Sequence, residues 1–294
     1  MGRATDGREL LPELGAMPGH LFWRAQARVS AALDEVLPVG VDIHAYAALL
    51  ALSGGLTRSQ QSLATTISVS RTTMVKVASD LSAQGLVKRI RNPDDRRSYA
   101  LTRTPEGAAA ARRWRRHAED LEDSVTAGFS LDEREELRAL LWRVAQADLA
   151  ADTPEPLRDS IGFLVSRIHG RMHRHFVTAL EPIGIMPAHF GALAALCVLG
   201  PVSQSVLARH MGVSDPHMVQ VADELEARGL VERRRSPADR RTQELHLLPD
   251  GDAALDRARG LAEQASTEIL RPLTGKQTRR LLVLMQRLVT SPAG

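Results

Sequence analysis

The chain repeats itself without a gap. Residues 59–107 recur as residues 203–251, and 24 of the 49 paired positions are identical. The copies are 144 residues apart, which is the length of a whole domain and far longer than a solenoid unit. The sequence therefore predicts one domain over 1–150 and a second copy over 151–294, each long enough to bury its own core. Residues 151–156 are the predicted linker.

The positions of the charges indicate more about possible binding partners than the net charge does. The net charge is only +3, yet five cations fall within 88–97 and five more within 233–241. A basic run at the same place in both copies favours a nucleic-acid partner over a merely solvated loop. The sequence holds no phosphate loop, nucleophile motif or carboxylate constellation, so neither an enzyme nor a cofactor is predicted.

Composition also sets an expectation for the compartment. Cys197 is the single cysteine, which excludes a disulfide framework and fits a reducing cytoplasm. No secretion signal is expected from the first residues, and the apolar stretch around 190–202 is too short to cross a bilayer. We therefore expect a cytoplasmic protein with no membrane partner.

Local patterns predict the same element order in both copies. Ser70 is a predicted N-cap, Gly85 a left-handed C-cap, and Ser130 with Glu133 a capping box. In the first copy the predicted helices cover 18–37, 43–52, 57–66, 71–83, 105–124 and 130–149, and the predicted strands cover 86–90 and 98–102. Two helices joined by a tight turn and followed by a hairpin are typical of a winged helix-turn-helix. The predicted fold class is mainly α with a small β-wing.

A family resemblance rests on three groups of residues in each copy. In the first copy they are Leu81, Gly85, Leu86 and Val87, then Asp95, Arg96 and Arg97, then Thr104, Pro105, Glu106 and Gly107. The second copy matches through Leu225, Gly229, Leu230, Val231, Asp239, Arg240, Arg241, Pro249, Asp250 and Gly251. This pattern resembles the MarR (multiple antibiotic resistance regulator) family. The resemblance implies dimers formed through terminal helices, a palindromic double-stranded DNA operator, and release by small aromatic or drug-like effectors.

For this chain, the resemblance implies an internal pseudo-dimer of two fused domains, joined through their terminal helices. Further self-association of the fused chain is left open. The resemblance also gives the wing three roles: Arg97 and Arg241 enter the minor groove, Asp95 and Asp239 buttress them, and Arg96 and Arg240 contact phosphate or brace the wing. The bland alternative for Asp-Arg-Arg is a surface turn with a local ion pair.

The predicted recognition helices share their apolar positions and differ in their polar ones. Predicted DNA-reading residues are Ser70, Arg71, Thr72, Thr73 and Lys76 in the first copy, and Ser214, His217 and Gln220 in the second. Four shared apolar pairs are expected to be core: Met74/Met218, Val75/Val219, Val77/Val221 and Ala78/Ala222. Residues 70–97 carry seven cations and three anions, whereas 214–241 carry six of each, so we expect unequal affinity from the two halves.

A ligand site is expected by analogy near the first helices. Its candidate residues are His20, Trp23, Arg24 and His44 in the first copy and Arg167, His169 and His189 in the second. Trp23 beside Arg24 suits an aromatic acid and equally suits interface packing. His169 and His173 have a chelating spacing, but solvated or interface histidines are favoured over a metal site. Cys197 is expected to be inert core.

The functional prediction is a DNA-binding transcriptional regulator, a repressor released by a small molecule, that binds an imperfect palindrome with its two fused domains. The alternative is a small-molecule or drug-sequestering protein on the same scaffold with weak or no DNA binding. Two intact wing motifs favour the regulator, and the uncharged balance of the second reading surface favours the alternative.

Overall fold

The computed structural model describes residues 10–38, 41–92, 99–237 and 241–291. By internal contacts the chain divides into two compact units. The first unit is Arg28–Arg167, and the second unit is the segment up to Ala27 together with Ile168–Ser291. Each unit thus holds the body of one sequence repeat and the beginning of the other. The predicted boundary between residues 150 and 151 divides the sequence, and the compact units cross it.

Helices dominate both units, and each repeat contributes three short strands. In chain order the elements are α1 (Pro12–Gly15), α2 (Pro18–Val36), α3 (Ile43–Ala51), β1 (Thr57–Arg58), α4 (Gln60–Ile67), α5 (Arg71–Ala83), β2 (Val87–Arg91), β3 (Tyr99–Arg103), α6 (Pro105–Val125), α7 (Leu131–Ala145), α8 (Glu155–Arg158), α9 (Ile161–Leu180), α10 (Pro187–Leu199), β4 (Val202–Ser203), α11 (Gln204–Met211), α12 (Asp215–Ala227), β5 (Val231–Arg235), β6 (Gln243–Leu247), α13 (Pro249–Leu270) and α14 (Gly275–Thr290). Single 3-10 turns cover Ser53–Gly55, Gln146–Asp148 and Glu181–Ile183. The predicted winged helix-turn-helix fold, mainly α with a β-wing, is confirmed.

Each wing is a three-stranded antiparallel sheet, with order β1-β3-β2 in the first unit and β4-β6-β5 in the second. The outer strand β1 was predicted as the start of a helix over 57–66, and this is wrong. Thr57 pairs with Thr102, and the helix begins only after Ser59, whose side chain accepts a hydrogen bond from the Ser62 N–H. An N-cap at Ser59 leaves the two preceding residues free to extend along β3.

The predicted helix ends are confirmed where capping signals marked them. Ser70 accepts from the Thr73 N–H, and Ser130 forms the capping box with Glu133. Gly85 has φ of +69° after α5, and the Leu86 N–H bonds to the Leu81 carbonyl 2.9 Å away, which closes a left-handed helix end.

A close backbone approach explains the glycine that follows each wing. A Cβ at Gly107 would lie 2.0 Å from the Leu86 carbonyl oxygen, and a Cβ at Gly251 would lie 2.1 Å from that of Leu230. Both distances are far inside van der Waals contact, so only glycine fits without a shift of the backbone. The first turn of α6 or α13 is thereby packed onto the beginning of the adjacent hairpin.

The two cores use equivalent side chains. In the first unit these core residues are Leu49, Leu63, Met74, Leu81 and Leu101. In the second unit their equivalents are Leu193, Leu207, Met218, Leu225 and Leu245. Each fully buried side chain of this kind contributes about 1.5–3 kcal/mol of transfer free energy. The core therefore fixes the helix-turn-helix and its wing as one body in each unit.

The predicted linker is anchored within the first unit. Asp152 forms an ion pair with Arg58, and the buried Thr153 hydroxyl donates to the Thr66 carbonyl at 3.3 Å. After the linker, the Glu122 carboxylate caps the N-terminus of α9. It accepts hydrogen bonds from the Ile161 N–H at 2.7 Å and from the Ser160 hydroxyl at 3.0 Å. Negative charge at a helix N-terminus is favourable, although burial raises the pKa of Glu122.

Among the described residues, no single helix has both the length and the apolar composition needed to cross a membrane. One bent pair, Ile161–Ile183 with Pro187–Leu199, meets those two criteria only when the two helices are taken together across a bend of 78°.

Candidate nucleic-acid interface

In both units, a left-handed residue ends the first helix of the helix-turn-helix. Ser68 has φ of +59° after α4, and Gly212 has φ of +69° after α11. Ser68 is the one described non-glycine residue with positive φ, which costs roughly 1–2 kcal/mol for an L-residue. The following Val69 N–H bonds to the Ala64 carbonyl at 2.9 Å, so the turn is tightly closed.

The second helix of the first repeat, α5, has an exposed stripe along its N-terminal two turns. Its buried residues are Met74, Val77, Ala78 and Leu81, as the helical spacing predicted. The exposed stripe runs along the opposite face through Arg71, Thr72, Val75, Lys76 and Ser79. We call this set the first reading stripe.

The predicted DNA-reading residues of α5 divide into two kinds. Arg71, Thr72 and Lys76 are exposed on the first reading stripe. Ser70 and Thr73 instead bond to each other, with their hydroxyl oxygens 2.8 Å apart, while Ser70 caps the helix. Their first task is therefore to hold the helix start.

The equivalent stripe on α12 has different chemistry. This second reading stripe consists of Asp215, Pro216, Val219, Gln220 and Asp223. His217 is exposed beside it, the Gln220 amide donates to Glu224 at 3.2 Å, and Ser214 precedes the helix without a side-chain cap bond.

One part of the predicted core is wrong. Val75 is 49% exposed and Val219 is 42% exposed, whereas the other three shared apolar pairs are buried. The valines are next to buried methionines in the sequence, and a helix turns adjacent residues onto different faces. Apolar type alone therefore placed them in the core, although their helical position faces solvent.

The first wing carries cations that are held by an aromatic ring. The guanidinium carbons of Arg89 and Arg91 lie 4.9 and 5.0 Å from the centre of the Tyr99 ring. Lys88 is exposed, and neither it nor Arg89 forms an ion pair with any residue that the structure describes. Stacking on a ring orients a guanidinium without neutralising its charge.

On the second wing, two of the cations are paired with carboxylates. Arg233, the equivalent of Arg89, forms ion pairs with Asp223 and Glu226 on α12. Burial lowers the pKa of Arg233, but its bonds to these two carboxylates outweigh burial and raise that pKa overall. Arg234 is paired with Glu232 on the same strand. In the first repeat, Ser79 and Ser82 occupy the places of Asp223 and Glu226, so this pairing distinguishes the two wings.

An open groove of about 530 Å³ lies between α12 and the second wing. Arg235 and Arg241 line it, together with Asp215, Val219 and Gln243. Of the predicted wing-tip residues, only Arg241 can be placed. Asp95, Arg96, Arg97, Asp239 and Arg240 lie outside the described residues.

Several predicted ligand residues meet in the second unit. His20 is buried, and burial with a smaller effect from Arg24 lowers its pKa to about 4. Trp23 contacts His169 edge-on, with ring centres 5.9 Å apart, and burial with a smaller effect from His173 lowers the pKa of His169 to about 4. Within the described part of the chain, the buried His20 Nε2 and Trp23 Nε1 have no hydrogen-bond partner.

An arginine from an opening helix contacts the helix-turn-helix in each unit. In the second unit the buried Arg24 donates to the His210 carbonyl at 3.2 Å and lies against Gly212. Burial lowers its pKa. In the first unit Arg167 donates to the Ser68 carbonyl. Both arginines therefore bind the carbonyl end of the first helix of the helix-turn-helix.

The remaining two ligand candidates are His189 and His44. Both ring nitrogens of the buried His189 have partners: Nδ1 accepts from the Met186 N–H, and Nε2 lies 2.7 Å from a Glu224 carboxylate oxygen. Because Nδ1 accepts, Nε2 is the donor, and this bond lowers the pKa of Glu224. His189 thus ties α10 to α12. His44 is exposed in the first turn of α3.

Cys197 was predicted to be inert core, and this is wrong. It is exposed, and the Arg259 side chain lies 3.6 Å from its sulfur. The apolar composition of α10 concealed that one of its faces reaches the surface. In the described ranges, no three histidine, cysteine or carboxylate side chains gather at a metal-binding distance.

Comparison with known proteins places these features in a family. The family model described as "MarR family" matches residues 39–98 and again residues 183–242. A relative from Thauera aromatica, named "Putative transcriptional regulatory protein for hcr operon", is 30% identical over 145 residues, which are 49% of this chain and 87% of that protein.

Two solved structures are similar over a comparable length. A probable transcriptional regulator from Pseudomonas aeruginosa is 30% identical, with 45% of this chain and 98% of that chain covered and a TM-score of 0.43. CouR from Rhodococcus jostii RHA1, solved bound to p-coumaroyl-CoA, is 29% identical, with 45% and 94% covered and a TM-score of 0.42. Each relative corresponds in length to about half of this chain.

Proposed function

The chain belongs to the MarR family of transcriptional regulators, and we propose that it is a repressor that binds an imperfect palindrome in double-stranded DNA with its two fused winged helix domains. The observation that carries this proposal is the first reading stripe with its neighbouring wing. Arg71 and Lys76 on α5 and Lys88, Arg89 and Arg91 on β2 are all exposed cations.

This arrangement suits a duplex in two ways. A helix with exposed polar residues near its N-terminus fits the major groove, where arginine and lysine recognise guanine. Cations on an adjacent hairpin suit the phosphate backbone, and the wing-tip arginines Arg97 and Arg241 are assigned to the minor groove by family resemblance.

The two domains contribute unequally in this proposal. On the second wing, Arg233 and Arg234 are already paired with carboxylates, and the second reading stripe carries Asp215 and Asp223 where the first carries Arg71 and Ser79. Fewer free cations mean fewer phosphates neutralised and fewer counterions released. We infer that the first domain supplies most of the nonspecific affinity and that the half-sites differ in sequence.

The proposed effector site is the cluster of His20, Trp23, Arg24 and His169. An aromatic carboxylate would stack on the Trp23 ring and pair with the Arg24 guanidinium. Arg24 would then leave the His210 carbonyl, and α11 would lose the cation that binds its carbonyl end. In this mechanism the effector loosens the helix-turn-helix through one side chain that touches both sites.

DNA binding is tested by titrating the protein against duplexes from its own promoter at several salt concentrations. Regulator function predicts tight binding at low salt and a linear fall of log K with log salt. No binding at low salt, with aromatic carboxylates still bound by the protein, would favour the sequestering alternative.

The effector mechanism is tested separately with preformed protein–DNA complexes. Benzoate-type carboxylates should dissociate the wild-type complex. Arg24→Gln should bind the duplex more weakly from the start, because it lacks the cation at the His210 carbonyl, and its remaining binding should not respond to these carboxylates. If both complexes dissociate at the same concentration, Arg24 does not transmit the signal.

A further inference from the structure

One exposed position is apolar and identical on both reading stripes. Of the five pairs on the stripes, Arg71/Asp215, Thr72/Pro216, Lys76/Gln220 and Ser79/Asp223 all differ, and only Val75/Val219 is the same. The valine lies in the middle of each stripe. The exposed fraction is 49% for Val75 and 42% for Val219.

Packing does not explain these valines. A single exposed apolar residue is ordinary on any protein surface and would carry little meaning alone. Here, however, the flanking polar residues changed between repeats while the exposed apolar one did not. Valine is also a poorer helix former than most residues, so helix stability does not favour it at a solvated position.

Duplex DNA offers one apolar group that matches such a side chain. In the major groove, the 5-methyl group of thymine is the apolar feature of the base edges, and small apolar side chains contact it directly. Cations flank Val75 on the same stripe, since Arg71 and Lys76 are its neighbours one turn before and one residue after. A valine at this place would reach a base edge while those cations bind phosphate or guanine.

We propose that Val75 and Val219 are specificity-determining residues that each read a thymine methyl group in their own half-site. This inference rests on the DNA binding proposed above and deepens it. Both half-sites then share a thymine at the central contact, and they differ at the flanking bases, where Lys76 suits guanine and Gln220 suits adenine.

The test uses the full chain and the tightest-binding duplex selected from a random library. That duplex is synthesised with thymidine or with deoxyuridine, which lacks only the 5-methyl group. Deoxyuridine in one half-site should weaken wild-type binding by about fourfold, the change that corresponds to ~0.8 kcal/mol for one methyl-sized apolar group.

Three variants assign the loss to its side chain. Val75→Ala should abolish the deoxyuridine effect in one half-site, and Val219→Ala should abolish it in the other. Val283→Ala is the matched control, because Val283 is 52% exposed on α14 and lies on neither reading stripe. It should keep the full effect. Alanine is a better helix former than valine, so all three variants should fold.

The outcomes separate this inference from the proposed function. If no duplex is selected, DNA binding fails and this inference fails with it. If the selected duplex binds equally well with thymidine and deoxyuridine, or if the deoxyuridine loss persists in Val75→Ala and Val219→Ala, the valine assignment is overturned while the regulator proposal stands.

Discussion

Replacing Asp223 and Glu226 by serine should remove the ion pairs that distinguish Arg233 from its equivalent, Arg89. Serine is the residue at both equivalent positions, Ser79 and Ser82. The double substitution removes the two carboxylates that pair with Arg233 and leaves its guanidinium available to phosphate. We expect tighter DNA binding at low salt and a steeper loss of affinity with salt.

The magnitude follows from counterion release. One additional phosphate contact steepens the slope of log K against log salt by about 0.9. Between 50 and 200 mM salt, the variant should therefore lose about three- to fourfold more affinity than the wild type. The variant should also lose about 1–3 kcal/mol of stability, because the Arg233 side chain is only 18% exposed and Glu226 accepts its backbone N–H as well.

Fluorescence anisotropy with a labelled promoter duplex at a series of salt concentrations measures the slope. The reciprocal change, Ser79→Asp with Ser82→Glu, is the matched control and should make the slope shallower by a similar amount. An unchanged slope in a folded Asp223→Ser/Glu226→Ser protein would refute the reasoning, because Arg233 would then not face phosphate.

Three further predictions concern the wing tips, a helix end and a buried histidine. Arg97→Ala should weaken promoter binding by about 1–3 kcal/mol, and by more than Arg241→Ala, because residues 70–97 carry seven cations against three anions whereas residues 214–241 carry six of each. Equal losses in a gel-shift titration would contradict the asymmetry. Gly85→Ala should lower the free energy of unfolding by about 1–2 kcal/mol, because φ is +69° at this position. Gly260→Ala is the control: Gly260 lies in an open helical position, so alanine there should raise the free energy of unfolding by roughly 0.5–1 kcal/mol. Denaturant unfolding that changed both values in the same direction would contradict this assignment. Burial lowers the pKa of His20 from 6.5 to about 4, so between these pH values the folded protein binds fewer protons than the unfolded chain. The free energy of unfolding should therefore fall by up to about 3 kcal/mol as the pH drops from 6.5 to 4. His20→Leu should remove this part of the pH dependence, and identical stability–pH curves for both proteins would show that His20 is not responsible.

Most of the fold could be predicted from the internal repeat and from the capping residues. Ser70, Gly85 and Ser130 lie at the helix ends as predicted. A cap depends on hydrogen bonds between residues at most about four or five positions apart, so the local sequence specifies it. The strand Thr57–Arg58 was not predicted, because two residues are too few to show an alternating pattern. Its pairing partner, Thr102, is distant in sequence, and only tertiary contacts reveal it.

The site was less predictable than the fold. Residue types gave the cations of both wings, but not which of them are neutralised. Arg233 and Arg89 look equivalent in the sequence, and only the pairing of Arg233 with carboxylates on α12 separates them. The exposure of Val75 and of Cys197 was missed for a related reason: helical periodicity finds an apolar face but does not fix where that face ends.

Fusion of the two domains gives these differences their meaning. In a homodimer every substitution occurs twice, so both recognition helices must read the same sequence. Here each helix can change alone, and four of the five pairs on the reading stripes differ, while buried residues such as Met74 and Met218 are the same. A second wing whose Arg233 and Arg234 are paired with carboxylates can therefore coexist in one molecule with a first wing whose Lys88 and Arg89 are paired with none among the described residues. Such a chain is suited to an operator whose halves differ, with the first domain holding the duplex and the second refining the choice of site.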